Sequence, residues 1–554
     1  MELQPSAHVD TFCRDNLPPQ ELWPEFLFEL PEVQYPERLN CAVELLDAVI
    51  DEHGADRPCL RSPDGTVWSY GDLRAHSNRL ANLLVEEHGL VPGNRVLLRG
   101  PNNLWLAACW FAVLKAGGVV VPTMPLLRPR ELATIGEIGK FTLAICDHRF
   151  TEDLHAAGIP DLRVLEYGGS SENDVVSASA DRDRWFDAVD TSADDVAMLA
   201  FTSGTTGRPK ATMHFHRDVL ANADTFSRHV LKPTKDDVFT GTPPIAFTFG
   251  LGGLIVFPLR VGASTLLIEK ATPGELADHI ESHGVTICFT APTAYRAMIA
   301  SGKVDKLRTL RRAVSAGEHL PVATWQAFHA ATGVKLIDGI GSTELLHIFV
   351  ASADDDIRPG ATGKPVPGYR AKVLDPMGDE APPGQPGRLA VQGPTGCRYL
   401  ADERQRVYVQ DGWNVTGDTF VRDEDGYFWY QARSDDMIIS SGYNISGTEV
   451  EEALVTHPDV LESAVVAAPD EARGHVVKAF VVLKAGLDSV ADEAVRAAKV
   501  KELQDHVKAS IAPYKYPRAV EFLEALPRTS TGKVQRYRLR VPEPETPNTP
   551  AHPV

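Results

Sequence analysis

Short apolar runs alternate with longer segments of helical periodicity along most of the chain. Cys41–His53 opens a helical pattern, and a second helix follows the turn at Trp68-Ser-Tyr-Gly-Asp-Leu73 and runs through Leu84. Arg95–Arg99 then reads as a strand, Leu104–Lys115 as a helix, and Gly118–Pro122 as the next strand. Arg128–Gly139 gives a helix and Leu143–Cys146 a strand. The apolar run Val196–Ala200 reads as a strand leading into a Gly/Ser/Thr loop. Beyond it, Asp218–Val230, Pro273–His283, Ala294–Ala300 and Pro321–Thr332 read as helices. Ala263–Ile268, Thr286–Phe289, Arg312–Ser315 and Val334–Ile337 read as strands. Strands alternating with helices predict βαβ units and a largely parallel sheet.

The pattern changes in three places. Residues 1–45 are rich in proline and aromatics and read as an extended arm packed on a domain. From about residue 359 glycine and proline rise and short strands dominate, as in a smaller β-rich subdomain. Past Arg433, Glu449–Thr456 and Ala494–Ser510 are helices, while Ala464–Ala467, Ala479–Leu483 and Ala519–Phe522 are strands, a compact α+β unit. The expected class is α/β: an N-terminal domain over 1–434 with parallel-rich sheets and a β-rich subdomain over about 359–434. A small C-terminal domain follows over 435–540, and a proline-rich tail over 541–554 is expected to be disordered.

Length and charge narrow the functions available. A chain of 554 residues exceeds one compact core. A net charge of -20 argues against general nucleic-acid or anionic-membrane binding, though not against a local basic pocket. Seven cysteines without paired spacing fit a reducing, cytoplasmic setting and neither a zinc site nor a disulfide framework. The start lacks the pattern of a signal peptide, and the most apolar run, Leu104 to Leu114, is too short to span a bilayer.

Four polar clusters carry candidate chemistry, and each has a plainer reading. Thr202, Ser203, Gly204, Thr205, Thr206 and Gly207, with Arg208 and Lys210 beside them, form a nest of donors suited to a polyphosphate, or else a polar turn. The spacing is not that of a P-loop. Asp338-Gly-Ile-Gly-Ser-Thr-Glu344 follows a strand, where an α/β sheet places ligands; Glu344 suits Mg²⁺ and Thr343 a phosphate, and the alternative is a glycine turn. Asp418 and Arg433 suit a ribose, and Asp425-Gly426 marks a hairpin nearby. Lys533, in Arg528-Thr-Ser-Thr-Gly-Lys533, is either a cation for chemistry or a solvated surface charge.

In this order and spacing the four clusters resemble the adenylate-forming superfamily, which holds acyl-CoA synthetases, luciferase-like enzymes and peptide-synthetase adenylation domains. The likeness spans about Tyr70 to Arg540. It is nearest to benzoate- and 2-aminobenzoate-CoA ligases, through Phe247-Thr-Phe-Gly-Leu-Gly-Gly253, Gly341-Ser-Thr-Glu-Leu-Leu-His-Ile-Phe349 and Thr395-Gly-Cys-Arg-Tyr-Leu400. His8-Val-Asp-Thr-Phe12, Asp15-Asn-Leu-Pro-Pro19 and Tyr35-Pro-Glu-Arg-Leu-Asn40 look like the 2-aminobenzoate branch. The resemblance implies that the Thr202–Lys210 loop cradles the β- and γ-phosphates of ATP, and that Thr343 and Glu344 serve the α-phosphate and Mg²⁺. Asp338, Gly339 and Ile340 complete the nucleotide site, with Asp418 and Arg433 on the ribose. Lys533 is then the catalytic lysine of adenylation, Asp435 the hinge of a mobile small domain, and Ser441, Gly442 and Tyr443 the lining of a tunnel for coenzyme A.

An aryl pocket is expected near Phe247, Thr248, Phe249, Ala316, Gly317, Ile340, Gly341 and His347. Phe249 can stack on a ring, and His347 either meets an ortho substituent or is a core histidine. Many fatty-acid and coumarate-type relatives carry a histidine where this chain has Phe247, Thr248 and Phe249, so a small aromatic acid is the more natural substrate. The expected activity is an AMP-forming aryl-CoA ligase using ATP, Mg²⁺ and CoA on 2-aminobenzoate. Benzoate or another small aryl acid, or loading of a carrier protein, are the alternatives. A homodimer is kept open.

Overall fold

A computed structural model describes residues 3–171, 174–202, 209–433, 438–440, 443–470, 474–511, 513–528 and 533–540. The chain divides into two compact units. One comprises Met1–Lys372, Leu389–Thr416 and Asp423–Trp429; the other comprises Val373–Arg388, Gly417–Arg422 and the chain from Tyr430 onward.

The first unit holds two α/β sheets. In one, Arg163–Tyr167, Leu143–Asp147, Arg95–Arg99, Val119–Thr123 and Val196–Thr202 lie parallel in that order, and Lys210–Phe215 closes the edge antiparallel. In the other, Leu336–Gly341, Arg312–Ser315, Ile287–Thr290, Val238–Gly241, Ser264–Leu266 and Pro58–Arg61 are mutually parallel. Antiparallel strands flank that set: Ile348–Ala351 and Lys364–Pro365 at one end, Val67–Ser69 at the other. The parallel-rich α/β class read from the alternation is the class observed.

The helix Leu104–Lys115 shows why so apolar a segment is not a membrane span. All but one of its twelve residues are buried, and the Asn103 side chain caps it by accepting from Leu106 N at 2.9 Å. Each fully buried Leu or Phe there contributes about 1.5–3 kcal/mol relative to exposure. Among the described residues no helix is long and apolar enough to cross a membrane.

The helix expected over Asp218–Val230 opens at His216, because the Asp218 carboxylate accepts from Phe215 N at 2.9 Å and sets the first turn. From Ala223 to Leu231 it continues with wider i→i+5 turns, which a 3.6-residue pattern does not reveal. The strands Val238–Gly241 and Pro58–Arg61 are not marked by the sequence pattern.

The amino-terminal arm packs as expected. Trp23, Leu27 and Val33 are buried, and Trp23 Nε1 donates to Pro18 O at 2.7 Å. The Arg398 guanidinium lies 4.9 Å from the Phe26 ring and 3.9 Å from the Phe215 ring, and pairs with Asp218 where neither is exposed.

A third sheet orders Arg370–Leu374, Pro386–Gln392, Trp413–Arg422 and Val409–Gln410, with Phe428–Arg433 paired to Trp413–Arg422. It is the β-rich region expected from about residue 359. In the second unit Val460–Asp470 and Gly474–Leu483 form a long antiparallel pair, and Ala519–Phe522 joins Gly474–Leu483 in parallel. The core there is Ile438, Val450, Leu454, Val465, Val477, Val481, Leu503 and Val507. The expected strand Ala464–Ala467 is only the apolar centre of an eleven-residue one.

Candidate active site

Four parallel strands of the larger sheet end side by side. Gly241 is level with Phe289, Thr290 with Ser315, and Ser315 with Asp338. The loops that leave these carboxyl ends carry Phe247–Phe249, Ala316–Gly317 and Gly341–His347. This is where an α/β sheet offers a ligand crevice.

The charged part of the site is built by the smaller sheet and the Ser342–Leu346 turn. Val196–Thr202 and Lys210–Phe215 pair antiparallel, and Thr202 is the register partner of Lys210. Thr202 and Lys210 therefore stand opposite each other on two paired antiparallel strands. Ser203, Gly204, Thr205, Thr206, Gly207 and Arg208 lie outside the described residues. Along the second strand Ala211, Met213 and Phe215 enter the core, so Lys210, Thr212 and His214 take the other face. Lys210 Nζ is 3.0 Å from Glu344 Oε1 and lies 4.3 Å from the centre of the Tyr399 ring.

Glu344 is buried, and Thr343 beside it is half-buried. Their turn is held by Leu345 N donating to Ser342 Oγ at 3.2 Å and by Leu346 N donating to the Thr343 carbonyl at 3.2 Å. The Tyr399 hydroxyl donates to Glu344 Oε1 at 2.6 Å and accepts from Lys210 Nζ. Tyr408 shares a hydrogen bond of 3.2 Å with Ser342 Oγ. Neither tyrosine stood out in the sequence, where Tyr399 is one letter of a longer string.

Asp338, Gly339 and Ile340 form the end of their strand. Burial pushes the Asp338 carboxyl up to about 7, against the opposing pull of His319 and the Gly339 N–H. Asp338 also borders a cavity lined by Trp325, Ser352, Arg358 and Thr362.

The aromatic part centres on His347, which is 3% exposed. Ring centres of Phe257, Phe226, Phe249 and Phe289 lie 4.5, 5.5, 5.6 and 6.3 Å from it. Burial drives its pKa down to about 3, so the imidazole is neutral near pH 7. His347 Nε2 lies 3.4 Å from the Phe249 carbonyl, and with the proton on Nε2 the other nitrogen is a bare acceptor. That Nδ1 is buried without a hydrogen-bond partner among the described residues. Gly252 makes the enclosure possible: a Cβ there would sit 2.3 Å from His347 Cδ2. Phe247 and Thr248 are half-buried beside Phe249, and Ala316 is buried. A Cβ on Gly341 would meet the His347 carbonyl oxygen at 2.6 Å, so that glycine is required by the turn itself.

The remaining residues singled out in the sequence belong to the second unit. Asp418 is half-buried on Trp413–Arg422, and Arg433 ends Phe428–Arg433. Lys533 is exposed, next to a loop closure in which Gln535 N donates to Pro527 O at 2.8 Å. Tyr443 begins the short strand Tyr443–Ile445, whereas Asp435, Ser441 and Gly442 lie outside the described residues.

Residues 46–399 match the family described as AMP-binding enzyme, and residues 449–533 match its C-terminal domain. The benzoate–CoA ligase of Thauera aromatica is 35% identical over 92% of this chain and 97% of its own length. The mouse (Mus musculus) mitochondrial acyl-coenzyme A synthetase ACSM3 is 34% identical over 92% of each chain. The crystal structure of the anthranilate CoA ligase AuaEII in complex with anthranoyl-AMP superposes with a TM-score of 0.85 at 32% identity, covering 92% of this chain and 98% of that one. With both family regions matched and relatives aligned over nearly their whole length, the chain belongs to the AMP-binding enzyme family and is an AMP-forming acyl-CoA synthetase.

Proposed function

We propose that the protein is an ATP-dependent aryl-CoA ligase whose acid is 2-aminobenzoate, with benzoate as the second reading. The observation that carries this is His347. A neutral imidazole walled by four phenylalanine rings suits a flat aromatic acid, and its unpartnered Nδ1 suits an N–H donor on that ring. The likeness to a benzoate–CoA ligase and to an anthranilate CoA ligase supports the aryl class.

In the first half-reaction a carboxylate oxygen attacks the α-phosphorus of ATP as pyrophosphate departs. Charge grows on the phosphoryl oxygens and calls for fixed cations and donors. Lys210 and the loop from Thr202 to Gly207 grip the departing phosphates. Thr343 donates at the α-phosphate, and Lys533 brings a cation to it. Asp338, Gly339 and Ile340 hold the base, while Asp418 and Arg433 hold the ribose. Glu344 offers a carboxylate oxygen next to the phosphate-binding lysine, a donor set that fits Mg²⁺ shared with substrate phosphates. Mg²⁺ held there would neutralise phosphate charge.

In the second half-reaction the CoA thiol adds to the acyl-adenylate and the tetrahedral oxyanion expels AMP. A domain boundary near residue 434, with Asp435 as hinge, lets the small domain present Lys533 and then Ser441–Tyr443, the lining of the CoA tunnel, in turn.

The test is mass spectrometry of the thioesters formed from an equimolar pool of aryl acids and octanoate with ATP and CoA. The expected first product is 2-aminobenzoyl-CoA. Benzoyl-CoA ahead of it overturns the choice of acid; octanoyl-CoA ahead of both overturns the aryl reading.

A further inference from the structure

Tyr399 is placed by backbone pairing on the edge of the smaller sheet. It bridges Thr212, with Met213 N donating to Arg398 O at 2.8 Å and Leu400 N donating to Ala211 O at 2.9 Å. The neighbouring Gln405, 1% exposed, accepts from Tyr399 N at 2.9 Å. Its amide donates to Cys397 O at 3.1 Å and to Leu22 O, in the amino-terminal arm, at 2.8 Å. The backbone that carries Tyr399 is thus fixed from two sides before its side chain does anything.

That side chain is fully buried, and its hydroxyl sits between the two charges of the site. Lys210 Nζ donates to it and it donates to Glu344 Oε1 at 2.6 Å, while Lys210 and Glu344 also pair directly at 3.0 Å. A tyrosine leaning on the sheet edge is stiffer than the two long side chains it joins, each of which has several rotatable bonds to lose.

We propose that Tyr399 is a positioning residue for adenylation: its hydroxyl joins Lys210 to Glu344 and holds the carboxylate in the orientation that receives the nucleotide's divalent cation. This rests on the reading of Glu344 as the cation ligand given above. Tyr399 touches neither reacting atom; it acts through Glu344, so its effect belongs in the metal and ATP dependence and not in the acid dependence.

The experiment is a Mg²⁺ titration of the full chain, read both as acid-dependent pyrophosphate release and as calorimetric binding of ATP without acid, for wild type, Tyr399→Phe, Glu344→Gln and the double variant. Tyr399→Phe keeps the ring and removes the hydroxyl. The expected result is a rise of about tenfold in half-saturating Mg²⁺, an acid KM within about twofold of wild type, and no further shift when Tyr399→Phe is added to Glu344→Gln. An unchanged Mg²⁺ titration in Tyr399→Phe, with Glu344→Gln shifted, overturns the role of Tyr399 alone. Equal shifts in Mg²⁺ and acid dependence, or full additivity in the double variant, reduce it to a general structural residue and also overturn the proposal. An unshifted Glu344→Gln removes the metal reading and the proposal with it. Should Tyr399→Phe fold poorly, Gln405→Met, which removes the hydrogen bonds to the same segment at similar volume and adds no charge, is expected to move half-saturating Mg²⁺ in the same direction; no movement counts against the proposal.

Discussion

Lys210 and Glu344 meet as a direct ion pair, each supplied by a short polar string that stands out in the sequence. His347 is instead enclosed by four rings from three separate segments, Phe226, Phe249 with Phe257, and Phe289, none of them in a polar string. Under the proposed function, the charged region acts by electrostatics on groups that any acid substrate needs, and the aromatic region acts by shape, which depends on the acid. Damage to the first is expected to appear in ATP and metal dependence whatever the acid, and damage to the second in the choice among acids.

The sharpest break is Glu344→Gln, which keeps the shape and removes the charge. Adenylation is expected to fall about 10²–10³-fold at fixed Mg²⁺ for every acid alike, measured as pyrophosphate release. A loss confined to one acid would erase the distinction between the regions. Next is Gly252→Val, which puts carbon where His347 and its cage already stand. Overpacking of this kind costs about 1–3 kcal/mol, and kcat/KM for the aryl acid is expected to drop more than that for ATP. A calorimetric midpoint and the two kinetic constants check it.

A smaller effect is expected from His347→Leu, which keeps an apolar filler and removes the ring nitrogens. The preference for 2-aminobenzoate over benzoate is expected to fall about tenfold with activity on benzoate retained, as competing-substrate assays would show. A last test reads stability against pH and not activity. His214 and His347 are both pushed down to about 3 by burial, from an ordinary value of 6.5. A histidine kept neutral in the fold supports it fully above pH 6.5, and that support drains as pH falls toward 3, because the unfolded chain takes up the proton first. Each such group removes roughly one kcal/mol per pH unit across that window. Urea midpoints from pH 7 to pH 4 should therefore fall less steeply in His347→Leu than in wild type.

The two regions also differ in how far the sequence exposes them. Strand-helix alternation revealed the parallel sheets, because short apolar runs such as those in Arg95–Arg99 and Thr286–Phe289 are each followed by a turn and a helical segment. The same logic put Asp338–Glu344 at a strand end. The link between Lys210 and Glu344 did not show, since Tyr399 is 189 residues from one and 55 from the other and meets them only through backbone pairing at the sheet edge. Phe226 lies where its helix widens and Phe257 begins the helix Phe257–Arg260; both meet His347 across the fold, which no local period reveals. Gly252 reads as a flexible position, yet its missing side chain is space already taken by an imidazole.

The strand Lys210–Phe215 has one more consequence, for insertions and deletions. Its apolar residues fall on odd numbers and Lys210 on an even one, so the core dictates where the lysine aims. Removing one residue, such as Ala211, would force the strand either to give up Met213 and Phe215 from the core or to turn Lys210 away from Glu344. Removing two in register would preserve the aim and only shorten the reach. For anyone redesigning this enzyme, the parity of that one edge strand is a constraint to keep whatever else in it is changed.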